Sequence, residues 1–307
     1  MTDPEGGPEL AEAAATFDGV RPVLFGIAYR MLGAVADAED VVQEAWIRWQ
    51  RTDRSSVRDP RAFLATTATR LALNVATSAR ARRETYPGPW LPEPVDLSAD
   101  PALGAERGEA VELAVLLLLE RLTPNERAVY VLREAFDYPY RRIAEVLEVS
   151  EANARQIARR ARAHVTEERP APVGREEHGR LLRAFLAAAR AGDLSRLEGL
   201  LTEGAVSYSD GGGAVGSARV PVFGRSRVAR FLAGVSTRFG QDLTVRFVES
   251  NNRDAALLVR GGEAVALCTV DASPAGVERV FMVVNPAKLT RFHPGPGPAQ
   301  APYRSRR

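Results

Sequence analysis

Apolar residues recur at Val20, Val23, Leu24, Ile27, Ala28, Met31 and Leu32. This is the spacing of one helical face over three turns, and Gly33 ends the run. A second stripe, Val41, Val42, Ala45 and Trp49, predicts a helix over residues 37–50. Pro60 opens a further helix, and Leu71, Val75 and Ala79 line one side of a long segment at 67–83. Residues 1–16 are small and polar and read as frayed, so residues 17–84 form a small helical domain. The pattern then breaks. Residues 86–94 hold four prolines and a glycine, which excludes a helix or a central strand and makes residues 85–105 an extended linker.

A second helical block covers residues 106–168. Thr123-Pro124-Asn125-Glu126 has the form of a capping box with proline at the first helical position. Two helices follow at 140–147 and 151–165, with Ser150 as N-cap of the latter. Pro170 and Pro172 mark another linker. Beyond it, helices are expected at 176–190, 194–201 and 225–237. Alternating apolar runs at 243–248, 255–259, 264–270 and 277–284 predict strands separated by turns at 251–254 and Gly261-Gly262. Helices followed by a curled antiparallel sheet define an α+β domain over 176–292. The Pro- and Gly-rich residues 293–307 read as a disordered tail.

Composition narrows the possible chemistry. A single cysteine, Cys268, excludes an internal disulfide, and three scattered histidines form no ligand pattern. No metal or cofactor is expected. No apolar run approaches the length of a membrane span and no signal pattern opens the chain, so the expectation is a cytoplasmic protein without membrane contact. The net charge is only +2, and Lys288 is the only lysine. Arginine clusters at 80–83 and 155–162, and acidic residues cluster at 37–44 and 93–100. Arginine pairs with phosphate through two parallel hydrogen bonds, as lysine does not.

Two segments carry the strongest signals. Residues 139–165 have the helix-turn-helix pattern. In the second helix Ala154, Ile157, Ala158, Ala161 and Val165 face inward, leaving Asn153, Arg155, Gln156, Arg159, Arg160 and Arg162 on the other sides. A DNA-reading helix needs such residues for base edges and phosphates; an ordinary solvated bundle helix is the alternative. In the helix at 37–50, Asp40, Gln43, Glu44 and Ile47 share one face, which read alone is also compatible with a merely soluble acidic surface.

Asp37-Ala38-Glu39-Asp40-Val41-Val42-Gln43-Glu44-Ala45-Trp46-Ile47-Arg48 closely resembles region 2.2 of sigma factors. With the helix-turn-helix downstream, the chain resembles the extracytoplasmic-function sigma factors, in which region 2 (residues 17–84) is linked to region 4 (residues 106–168). The resemblance implies that Asp40, Gln43, Glu44 and Ile47 dock on a coiled coil of core RNA polymerase. It implies that Arg70, Asn74 and Ser78 face the unpaired strand of the −10 element, with Arg80, Arg82 and Arg83 on phosphates. Glu151, Asn153, Arg155, Gln156, Arg159 and Arg160 match the helix that reads the −35 element.

Residues 176–292 resemble a SnoaL-like domain of the cone-shaped NTF2-like fold, fused C-terminally in a sigma-J-like subgroup. Three motifs carry this: Trp90-Leu91-Pro92-Glu93-Pro94 in the linker, Asp210-Gly211-Gly212-Gly213, and Asn285-Pro286-Ala287-Lys288-Leu289. Ala214 and Ala287 depart from the family's usual basic and acidic residues at those places. The implied fold is two all-α sigma domains followed by an α+β cone. The implied partners are core RNA polymerase and promoter DNA, with the cone regulating in cis, so that a separate anti-sigma protein is not required. Relatives of the cone fold include enzymes, but no histidine falls in the expected strands. Phe247, Leu257, Val259, Cys268, Phe281 and Val283 are apolar lining candidates, which leaves room for a small-molecule ligand and not for catalysis. A helix-turn-helix regulator fused to a ligand-binding or enzymatic cone is the alternative.

Overall fold

A computed structural model describes residues 6–95, 112–167 and 171–292. It divides into two compact units. One holds both expected sigma regions; the other joins the described linker residues 85–95 to the C-terminal domain. The expected linker beyond Val95, the start of the second helical block and the tail at 293–307 lie outside the described residues.

In the first unit, α1 (Gly6–Asp18), α2 (Arg21–Leu32), α3 (Val35–Arg51) and α4 (Pro60–Glu84) form the region-2 bundle. The N-terminal segment expected to fray is α1. Ala13 and Phe17 are buried, and the Trp49 indole donates to the Ala13 carbonyl at 3.0 Å. The Ala- and Glu-rich stretch favours a helix, and this tertiary anchor fixes a segment too short to be stable alone. The two helices expected after Pro60 are one, 25 residues long. Gly33 takes φ 65° and caps α2, as glycine does without steric cost.

Region 4 comprises α5 (Leu113–Leu119), α6 (Pro124–Tyr130), a π-helical turn (Val131–Ala135), α7 (Tyr140–Leu147) and α8 (Glu151–Glu167). The capping box at Thr123 and Glu126 is formed. Region 4 packs on region 2 within this unit. Arg127 is 4 % exposed and donates to the Leu119 and Met31 carbonyls and to Glu120, each at 2.7 Å.

The second unit contains α9 (Arg175–Ala191), α10 (Leu194–Leu200), α11 (Arg225–Phe239) and α12 (Pro286–Leu289). Its sheet has the order β2-β1-β6-β5-β4-β3, with β1 (Leu201–Asp210), β2 (Val222–Phe223), β3 (Thr244–Ser250), β4 (Arg253–Arg260), β5 (Glu263–Ser273) and β6 (Gly276–Val283). Leu182 and Phe185 of α9, Leu197 of α10 and Val228 of α11 form one core with Val245, Ala256, Cys268 and Val280 of the sheet. Each large side chain so buried contributes about 1.5–3 kcal/mol.

Two strands were not legible in the pattern, and the sheet is not wholly antiparallel, because β1 runs parallel to β6. The strand β1 lies inside the sheet, and its Ser207, Ser209 and Asp210 are buried. It therefore lacks the polar-out alternation on which strand recognition depends.

Candidate functional site

The α3 helix buries Val41, Val42, Ala45 and Trp49. This turns Asp40 and Gln43 to solvent and leaves Glu44 and Ile47 half-buried. Glu44 accepts from Arg48 Nε at 2.9 Å. Beside this face a groove of about 360 Å³ is lined by Phe17, Arg21, Glu39, Gln43 and Trp46. Arg21 pairs with Glu39 at 2.9 Å, and the Phe17 and Trp46 rings meet at 5.0 Å.

On α4, Leu71, Ala72, Ala76 and Ala79 are buried, while Asn74 and Ser78 are exposed. The side chains of Arg80 and Arg82 lie outside the described residues. In the absence of DNA, two arginines expected on promoter DNA are engaged with region 4. Arg70 donates to the Val146 and Glu145 carbonyls, both at 3.0 Å, and pairs with Glu148 at 3.1 Å. Arg83 turns inward to Glu120 and the Leu32 carbonyl, and burial pushes its guanidinium below its usual range against the opposing pull of Glu120. Sequence pattern cannot distinguish an arginine aimed at phosphate from one aimed at carbonyl oxygens, because both are polar positions on a helix surface.

In α8 the inward residues Ala154, Ile157, Ala158, Ala161 and Val165 are buried. Asn153, Arg155, Gln156, Arg159 and Arg160 are exposed, and Glu151 is half-buried. Ser150 Oγ accepts from the Asn153 amide at 3.2 Å. Glu151 pairs with Arg155 one turn on. The first turns of α8 therefore present a compact amide- and guanidinium-bearing surface.

The three motifs of the second unit meet around one carboxylate. Asp210, at the end of β1, is fully buried. Its Oδ1 accepts from Tyr86 Oη at 2.6 Å and from the Gly212 amide at 3.0 Å. Its Oδ2 accepts from the Leu91 amide at 2.9 Å and Lys288 Nζ at 2.7 Å. Lys288 also donates to the Leu91 carbonyl, and its ammonium lies 4.4 Å from the Trp90 ring centroid and 5.4 Å from that of Tyr86, a cation–π arrangement. Burial first, and then Asp210, raises the Tyr86 phenol above its ordinary value, so it remains a donor.

Asn285 caps α12 by accepting from the Ala287 amide, and its Nδ2 donates to Tyr86 Oη at 3.0 Å. Gly212, at φ 61°, has no room for a Cβ, which would lie 2.6 Å from Asn285 Cγ; one on Gly213 would lie 2.8 Å from Pro87 Cγ. Leu91, Pro92, Pro94 and Val95 are buried and Trp90 half-buried. Pro286 opens α12 and Leu289 is buried. Glu93 Oε1 stands 3.8 Å from Arg291 Nε.

Further along the linker, the Val95 amide donates to Asn251 Oδ1 at 3.0 Å, and the Asn251 amide donates back to the Val95 carbonyl at 3.2 Å. Tyr86 and Asn251 were not among the expected site residues. Only a partner more than a hundred residues away gives either its role. Residues 86–95 thus form a strap on the C-terminal domain.

Within that domain Leu257, Val259, Phe281 and Val283 are buried. Burial pushes the Cys268 thiol up to about 12, which makes it a core residue rather than a nucleophile. Among the described residues no cluster of His, Cys, Asp or Glu is arranged to hold a metal ion, and no helix is long and apolar enough to cross a membrane.

A four-helix bundle with an acidic outer face, joined to a helix-turn-helix with an arginine-rich second helix, is the architecture of a transcription initiation factor. Two family models match these parts: Sigma-70 region 2 over residues 16–83, and Sigma-70, region 4, over residues 112–165. The chain is 42% identical over 233 residues to the ECF RNA polymerase sigma factor SigJ of Mycobacterium tuberculosis, covering 74% of each. It is 37% identical over 201 residues to a probable ECF RNA polymerase sigma factor, SigI, of the same organism, covering 64% of this chain and 69% of that one. The crystal structure of Mycobacterium tuberculosis SigJ superposes with a TM-score of 0.72 at 35% identity, covering 90% of this chain and 98% of the other. The chain belongs to the extracytoplasmic-function RNA polymerase sigma factors. It is a promoter-specific initiation factor whose partners are RNA polymerase and promoter DNA, and its C-terminal domain is the expected NTF2-like α+β fold.

Proposed function

We propose that α3 docks on core RNA polymerase through Asp40, Gln43, Glu44 and Ile47, that α4 reads the −10 element, and that the first turns of α8 read the −35 element. The C-terminal domain regulates this activity in cis by holding the linker, with no chemistry of its own and no need for a separate anti-sigma protein. The observation that carries the regulatory part is Asp210, a buried carboxylate that accepts four hydrogen bonds, two of them from linker groups. A linker so held is not available to run between promoter-reading domains. Run-off transcription with purified core polymerase and this protein as the sole sigma factor tests the reading. Transcripts starting at a defined promoter are expected, and core polymerase giving the same products alone would overturn it.

Reversal of charge on α3 tests docking. Asp40→Arg combined with Glu44→Arg is expected to weaken binding to core polymerase by about tenfold or more, equivalent to about 1.4 kcal/mol. Stability is expected to change by under about 1 kcal/mol, since Asp40 is exposed and Glu44 is half-buried with one ion pair at the surface. Titration of labelled protein with core enzyme measures the first, and chemical denaturation the second. Undiminished affinity would remove this face from the interface.

A further inference from the structure

The π-helical turn before α7 has a neighbour that the reading of α8 does not use. Tyr140, the first residue of α7, is half-buried. Two guanidinium groups lie over its ring, that of Arg133 at 5.2 Å and that of Arg155 at 5.4 Å from the centroid. Arg133 is itself fixed, donating to the Tyr138 carbonyl at 3.1 Å and pairing with Asp137 at 2.9 Å. On the other side Glu151 holds Arg155 from one turn earlier in α8. The Arg155 side chain nevertheless remains 59% exposed, so it is accessible to an incoming base edge. Arg160 contrasts with it: its ion pair to Glu126 is loose, at 3.7 Å, and its side chain is 64% exposed.

We infer that Tyr140 is a positioning residue. Its ring and the Glu151 carboxylate set the plane of the Arg155 guanidinium before DNA arrives, so that Arg155 reads a guanine in the −35 element through O6 and N7. A guanidinium makes that paired contact only when its plane matches the base edge, and a long side chain held in advance loses less freedom on binding. The inference rests on the assignment of α8 to the −35 element, and it adds a residue from the preceding helix and the identity of one base.

The test is selection of duplexes with a randomised −35 element by the full-length protein bound to core polymerase, followed by sequencing. One position is expected to favour guanine. Tyr140→Phe keeps the ring and is expected to keep the preference. Tyr140→Leu, apolar but without a π face, is expected to lower it roughly tenfold, while salt-dependent binding to unrelated DNA stays the same. A merely structural role would weaken all sequences together. If Arg155→Ala abolishes the guanine preference and Tyr140→Leu leaves it intact, the positioning role is overturned. If Arg155→Ala leaves every position unchanged, this inference fails while the reading of α8 stands; if the wild-type protein selects no −35 sequence at all, the reading of α8 fails and this inference with it.

Discussion

Asp210→Ala is expected to release the linker and to destabilise the C-terminal unit by about 3–5 kcal/mol, the range for removing one partner of a buried charged pair. The carboxylate is wholly buried, and its loss takes the acceptor from Tyr86 Oη and from the Leu91 and Gly212 amides and the counter-charge from the Lys288 ammonium. Each is a donor that burial makes expensive to leave without an acceptor. Denaturation of the full-length variant measures the stability. Hydrogen exchange at the Leu91 and Val95 amides measures the linker, because both are bonded to groups of the C-terminal domain. Leu91 exchange as slow as in the wild type would show that Asp210 does not hold the strap. Lys288→Arg is expected to fail as a conservative replacement. The site fits a compact ammonium between a carboxylate, a carbonyl and two rings, and a planar guanidinium has a different shape and donor geometry.

The second large effect is expected at Glu120. Its carboxylate faces both Arg83 of region 2 and Arg127 of region 4, whose side chains are 18% and 5% exposed. Glu120→Ala leaves two enclosed guanidinium groups facing each other and is expected to cost the first unit about 3 kcal/mol. A loss below about 1 kcal/mol would mean that water takes the place of the carboxylate in the variant, so that the pair does not hold the two regions together. The same contact has a functional side. The −10 and −35 elements lie about 25 base pairs apart by their names, roughly 85 Å along B-DNA, whereas regions 2 and 4 touch through Arg70, the Arg83–Glu120 pair and Arg127. Reading both elements at once therefore requires these contacts to break. The Glu120 variant is accordingly expected to keep its binding to core polymerase, which separates loosening of this contact from general unfolding.

The order of domains and the inward faces of α2, α3 and α8 were legible because a helix with one buried face repeats every three or four residues. The capping box at Thr123 was legible because its two partners are three residues apart. The linker was legible as an interruption, since four prolines forbid regular structure. Where it lies was not legible from composition, which does not say on what surface a polyproline-like strap rests. The strand β1 was missed because its serines are buried in the middle of a sheet, and α1 because its anchor is the distant indole of Trp49. The directions of Arg70 and Arg83 were not legible, because their acceptors are main-chain carbonyls and glutamates brought close only by folding.

Lys288, the only lysine in the chain, stands at the centre of the strap with its side chain 11% exposed. Amine-selective reagents therefore meet one side-chain target in the whole protein, besides the chain's α-amino group. Incorporation of isotope-labelled lysine would place a single side-chain signal at Nζ and its neighbouring methylene, where the currents of the Trp90 and Tyr86 rings shift it while the linker is seated. That peak is a built-in gauge of the linker, readable in the intact protein as core polymerase and then promoter DNA are added.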